Sequence, residues 1–151
     1  MKIKTIAFNF KDSSDPVKYG ALLSSLKELD IALFVNNVGT SDAKFFHDFS
    51  HQEIVDIINI NCVGMAALSS DVLAMMKKRE HKSALINLSS FMEETPLPFL
   101  GLYSATKAFN KNLTEGLHYE YPEVDIMNLK PMFVETPLSK QKKGLTVPDR
   151  R

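Results

Sequence analysis

Apolar runs rich in β-branched residues alternate with helix-period segments along most of the chain. The pattern predicts strands at 3–10 ("IKTIAFNF"), 31–35 ("IALFV"), 83–90 ("SALINLSS") and 124–130 ("VDIMNLK"). Helices are predicted over 16–29, from 50 to about 79, and from about 101 to 121. Pro16 suits a first helical turn, "SHQE" at 50–53 has the Ser-x-x-Glu capping-box pattern, and Pro122 ends the last helix. The run at 31–35 is apolar at every position, as expected of a strand covered on both faces.

Strand and helix in alternation predict an α/β fold, a parallel sheet with helices on both faces. Ligands then bind beyond the carboxyl ends of the strands. Polar stretches lie at those ends: "NNVG" (36–39) after the second strand, Ser89 and Ser90 closing the third, and "KPMFVETP" (130–137) after the fourth. Taken singly, each also reads as a turn, a strand cap or a proline stop.

A length of 151 residues with 44% hydrophobic content suits one domain, spanning 1–151. Eighteen basic and eighteen acidic residues, with a pI near 6.9, give no electrostatic pull toward nucleic acid or an anionic membrane. The single Cys62 excludes an intramolecular disulfide and suits a reducing compartment. His47, His51, His81 and His118 are scattered, so no metal site is expected. No signal peptide and no membrane segment is expected, which points to a cytoplasmic chain.

"LYSATKAFNKN" (102–112) sets Tyr103 and Lys107 one helical turn apart, on one face. A cation near a phenol favours the phenolate and brings its pKa down toward neutral pH, as proton donation to a carbonyl oxygen requires. The same spacing is also common on an ordinary solvated helix face.

Together these residues resemble the short-chain dehydrogenase/reductase family. Tyr103 and Lys107 match its Tyr-x-x-x-Lys motif, Ser90 its catalytic serine, "NNVG" its Asn-Asn-Ala-Gly stretch with Val38 for Ala, and "NINCVG" (59–64) the segment carrying a fourth catalytic residue, Asn61. "PMFVET" (131–136) is similar to the Pro-Gly-x-Val-x-Thr loop over the nicotinamide, with Met132 for Gly. Nearly the whole chain resembles the branch of very-long-chain 3-oxoacyl-CoA reductases and steroid 17β-dehydrogenases.

The resemblance implies a doubly wound, Rossmann-like sheet and the reversible reduction of a ketone by NADP(H) or NAD(H), on a lipid or acyl-CoA substrate. It implies Tyr103 as proton donor, Lys107 lowering its pKa and holding the nicotinamide ribose, Ser90 binding the carbonyl oxygen, and Asn61 organising a water that links Lys107 to solvent. Cofactor contacts are implied at Asn9, Asn37, Gly39, Tyr103, Lys107, Pro131, Val134 and Thr136. The branch also implies an endoplasmic reticulum location for a full-length protein.

Family members begin with a strand, a glycine-rich phosphate-binding turn, a helix and a second strand. The six glycines here, at 20, 39, 64, 101, 116 and 144, form no such cluster. The expected fold is therefore incomplete, lacking the first βαβ unit and the last strand. The run at 3–10 loses its neighbours, and 31–35 becomes an exposed apolar edge. The alternative is a catalytically inactive interaction module. It would pair as a homodimer through the two long helices, using positions such as Ile54, Ile57, Ile58, Leu68, Leu73, Leu113 and Leu117, which read equally as core.

Overall fold

The computed structural model describes residues 2–132. Its centre is a parallel sheet of β1 (Leu33–Asn36), β2 (Ser83–Leu88) and β3 (Val124–Leu129), in spatial order β1-β2-β3. Leu33 stands opposite Ala84, and Ser83 opposite Val124. Each connection crosses through helix, as parallel pairing demands. The helices are α1 (Pro16–Leu26), α2 (His51–Ile58), α3 (Gly64–Met76) and α4 (Gly101–Glu120). This is the expected parallel Rossmann-like architecture, with β1 at an edge.

The run at 3–10 is not a strand. Residues 2–9 form no regular element, and Phe10–Asp12 is a 3₁₀ turn. A strand needs a neighbour to pair its backbone groups, and no described segment lies beyond β1 to supply one. The turn instead docks on the long helix: Asn59 Nδ2 donates to the Lys11 carbonyl at 2.8 Å, and Lys11 Nζ meets Asp56 at 2.7 Å.

The helix expected from 50 to about 79 runs as α2, a π turn at Asn59–Val63, and α3. Ser50 and Glu53 form the expected capping box: the Ser50 N–H donates to Glu53 Oε2 at 2.8 Å, and the Glu53 N–H to Ser50 Oγ at 3.3 Å. The stretch His51–Met76 is long and apolar enough to cross a membrane, contrary to the expectation that no segment is. More than half of its most apolar window is buried, against the sheet and α4, as in a core helix.

Val72, Leu73 and Met76 of α3 meet Leu85 and Val124 of the sheet, with Phe34, Leu117 and Ile126 packed around them. Ile57, Leu68 and Leu73, read above as interface or core, are core. A polar ladder crosses the same face. Asn36 and Asn87 share a register position, as do Asn87 and Asn128. Asn36 Nδ2 donates to Asn87 Oδ1 at 2.8 Å and to Ser69 Oγ of α3 at 3.0 Å, and Asn87 Nδ2 donates to Thr114 Oγ1 of α4 at 3.0 Å. Buried amides satisfied in this way fix which helix lies over which strand. The opposite face is bare among the described residues: Leu33, Val35, Met127 and Leu129 are exposed, where the sequence pattern predicts covering helices.

Gly64 begins α3 where the Phe10–Asp12 turn crosses it. A Cβ there would lie 2.7 Å from Ser13 Oγ and 2.8 Å from Phe10 Cδ1. Gly64→Ala is expected to destabilise the chain by about 1–2 kcal/mol despite alanine's better helix propensity. A urea midpoint equal to or above that of the wild type would show that the turn does not press on the helix.

Candidate active site

Asn61, Gly39, Ser90, Tyr103 and Lys107 come together beyond the carboxyl ends of β1 and β2. The π turn sets the first of them. It spends one extra residue, so the Gly64 N–H bonds the Asn59 carbonyl five residues back, and the Asn61 side chain turns inward. Asn61 Oδ1 accepts the Thr40 N–H at 2.8 Å, while Nδ2 donates to the Thr40 carbonyl at 2.8 Å and to Thr106 Oγ1 at 3.0 Å. One buried amide thus joins the loop after β1 to the long helix and to α4. Gly39 lies in that loop, and a Cβ on it would stand 3.5 Å from Lys107 Nζ and 3.6 Å from Asn61 Oδ1.

Strand β2 supplies two serines with different tasks. Ser89 Oγ donates to the Lys107 carbonyl at 2.9 Å, which pins α4 to the end of the strand. Ser90 faces the site and caps the 3₁₀ turn Phe91–Glu93, accepting the Met92 N–H at 3.3 Å. The Tyr103 phenol is half-buried beside it: burial holds that phenol above its ordinary value, and the Ser90 hydroxyl pulls the other way by favouring the phenolate.

Lys107 is buried, and its Nζ donates to the Leu88 carbonyl at 2.9 Å. It lies 5.6 Å from the centre of the Tyr103 ring. Burial draws its pKa down to about 8, while Cys62 and Glu93 act in the opposite direction. In this geometry the Ser90 hydroxyl favours the phenolate, and the Lys107 ammonium gives one of its N–H groups to a strand-end carbonyl. Lys107 is buried and Tyr103 half-buried, so the pair does not lie on a solvated helix face.

The other expected contacts are scattered. Asn9 is exposed and its Oδ1 caps the 3₁₀ turn, accepting the Lys11 N–H at 3.2 Å. Asn37 is exposed beside the site loop. The Pro131 carbonyl accepts the Phe91 N–H at 3.2 Å, which carries the β2–β3 pairing past the strand ends. Val134 and Thr136 lie outside the described residues. Among the described residues no cluster of His, Cys, Asp or Glu has the arrangement to hold a metal ion.

Thr40 and Thr106 were not legible in the sequence. Thr40 enters through its backbone and Thr106 through a side chain one residue from Lys107; neither leaves a compositional signal. A groove of about 570 Å³ lies between the π turn, α3 and α4, and Ser90, Tyr103 and Lys107 do not line it.

The profile of the short chain dehydrogenases matches residues 2–144. The chain is 36% identical to the very-long-chain 3-oxoacyl-CoA reductase of Homo sapiens, covering 95% of this chain and 46% of that protein. It is 34% identical to that of Laccaria bicolor, covering 87% and 40%. The chain therefore spans less than half the length of these curated relatives. Among solved structures it superposes with a TM-score of 0.84 on the bulky-bulky ketone specific alcohol dehydrogenase from Comamonas testosteroni, at 23% identity over 99% of this chain and 57% of that one. A short-chain dehydrogenase from Sphingobium yanoikuyae in complex with NADPH gives 0.79, at 23% identity over 91% and 57%. Those two likenesses show the fold, and the profile match over nearly every residue carries the rest: this chain belongs to the short chain dehydrogenase family.

Proposed function

We propose that this chain carries the proton-donating half of an NAD(P)H-dependent oxidoreductase that interconverts a ketone and a secondary alcohol, with a 3-oxoacyl-CoA or steroid-like lipid as substrate. One observation carries the reading: a half-buried phenol, with a Ser90 hydroxyl that favours its phenolate, lies one helical turn from a buried ammonium at the carboxyl edge of a parallel sheet. The names of the relatives support the substrate class, and the NADPH-bound structural neighbour supports the cofactor.

The residues present fit the nicotinamide ribose. Lys107 has N–H groups beyond the one given to Leu88, and Gly39 leaves the space above Nζ clear of a side chain. With a nicotinamide bound, the hydride comes from the cofactor. Tyr103 gives its proton to the substrate oxygen, and Ser90 Oγ holds that oxygen while steadying the phenolate left behind. Lys107 adds a positive charge and a hold on the ribose; Asn61 keeps the Thr40 loop and α4 in register around them. Asn37, Gly39, Pro131, Val134 and Thr136 are assigned to the nicotinamide end, and Asn9 to the adenine end. The 151 residues contain no glycine-rich turn for the pyrophosphate.

A second reading, association of two copies through the long helices, is favoured by the groove between them. Ala66, Ala67 and Ala105 line it and let a second helix approach closely, and Ile58 and Phe109 stand exposed at it. Sedimentation equilibrium is expected to give a dimer that Phe109→Glu converts to monomer; a monomeric wild type would remove this reading.

The catalytic reading is tested in a form of the protein that includes a dinucleotide-binding unit, assayed with NADPH and a 3-oxoacyl-CoA. Tyr103→Phe should cut turnover by about 10²-fold or more and leave the fold intact. Wild-type rates in that variant would show that the phenol is not the acid. The wild-type rate should also fall as pH rises through about 8, where Lys107 loses its charge.

A further inference from the structure

The chain carries one short pattern, Ser-x-x-Glu, at the heads of two helical turns, and the two copies hold their glutamates differently. At Ser50–Glu53 the carboxylate closes back on the serine: Glu53 Oε2 accepts the Ser50 N–H at 2.8 Å and the Ser50 hydroxyl at 2.7 Å. A serine held in this way has given its O–H away. At Ser90–Glu93 the spacing is the same, and the serine again caps its turn. Ser90 Oγ accepts the Met92 N–H at 3.3 Å, and the Ser90 carbonyl accepts the Glu93 N–H at 3.0 Å. The Glu93 carboxylate, however, turns away from the serine. Its Oε2 accepts from Asn128 Nδ2 of β3 at 2.9 Å, its Oε1 lies 3.7 Å from Lys130 Nζ, and the side chain is 1% exposed. Among the described residues no carboxylate is hydrogen-bonded to the Ser90 hydroxyl.

Asn128 makes the difference. Its amide presents the N–H to Glu93, and its own Oδ1 is buried without a hydrogen-bond partner among the described residues. Leaving such an atom unpaired is costly, so the bond to the carboxylate outweighs it. Lys130 adds little to that hold, because its Nζ is half exposed and sits closer to Glu94, at 2.9 Å. The turn itself is seated by other bonds: the Phe91 N–H donates to the Pro131 carbonyl at 3.2 Å, and the Ser89 N–H to the Leu129 carbonyl at 2.8 Å. The Asn128 bond therefore sets where the Glu93 carboxylate goes rather than where the turn lies.

We propose that Asn128 keeps Ser90 open: by drawing the Glu93 carboxylate onto β3 it prevents the closure made at Ser50, and it leaves the Ser90 O–H for the substrate oxygen. A carboxylate closed on Ser90 would take up its one donor and set a negative charge beside an oxygen that gains electrons as the hydride arrives. Asn128 and Glu93 are positioning residues. They act through Ser90, and their effect on catalysis rests on the reading of Ser90 and Tyr103 given above.

The test compares Asn128→Leu, which keeps the side-chain volume and removes the N–H, with the double variant Asn128→Leu/Glu93→Ala, in which no carboxylate remains to close. Both are made in the 151-residue chain, and no cofactor or turnover is needed. The Ser90 Cβ and Hβ resonances are followed by NMR, assigned with Ser90→Ala, and the Tyr103 phenol by spectrophotometric titration, with Tyr103→Phe subtracted in each background. Asn128→Leu is expected to displace the Ser90 resonances and to raise the Tyr103 midpoint by about one pH unit, because the hydroxyl that favours the phenolate is taken. The double variant should return both to the wild-type position. Ser90 resonances that stay in place in Asn128→Leu, or a displacement that persists in the double variant, overturn the proposal; so does a Tyr103 midpoint that Ser90→Ala moves and Asn128→Leu does not. Should Asn128→Leu not fold, Asn128→Ala decides by the same criteria. Resonances that move and return, alongside a Tyr103 midpoint that no variant shifts, Ser90→Ala included, would leave the diversion of Glu93 standing and remove Ser90 from the acid instead.

Discussion

The site depends on the grip of one buried amide. Asn61 takes both backbone groups of Thr40 and the hydroxyl of Thr106, so the loop leaving β1, the helix that covers the sheet and the helix that carries Tyr103 meet at a single side chain. Removing that amide would strip the Thr40 N–H and carbonyl of their partner, at roughly 1–3 kcal/mol each, while the Thr106 hydroxyl would keep its bond to the Tyr103 carbonyl. That is a strong constraint on register. It exists because the helix spends an extra residue in the π turn at Asn59–Val63, which turns Asn61 toward Thr40 while Leu68, Val72 and Leu73 still reach the sheet.

Around that fixed point the chemistry follows from burial. Desolvation pushes the Tyr103 phenol up and the Lys107 ammonium down, so each is brought toward its neutral form. The partners work against this. Ser90 favours the phenolate, and Cys62 and Glu93 favour the ammonium.

Elements with a local cause were legible in the sequence. The parallel sheet, α4 with its paired Tyr103 and Lys107, and the Ser50–Glu53 cap were each readable, because periodicity, spacing and capping act within a few residues. What depends on distant partners was not. Residues 3–10 look like a strand and have no neighbour to pair with among the described residues. The π turn leaves no mark, since the apolar period resumes on its far side. Ser90–Glu93 repeats the Ser-x-x-Glu pattern of Ser50–Glu53, yet Glu93 turns inward to Asn128. Spacing also put Lys107 beside the phenol without showing that its Nζ is taken by the Leu88 carbonyl.

The central claim is that the Ser90 hydroxyl favours the Tyr103 phenolate, and a spectrophotometric titration tests it directly. Subtracting the curve of Tyr103→Phe from that of the wild type isolates the Tyr103 phenol from the other three tyrosines. The account predicts a midpoint above the ordinary value of about 10, and a higher one still in Ser90→Ala, where the hydroxyl that favours the phenolate is lost. A midpoint that Ser90→Ala leaves unchanged would contradict it.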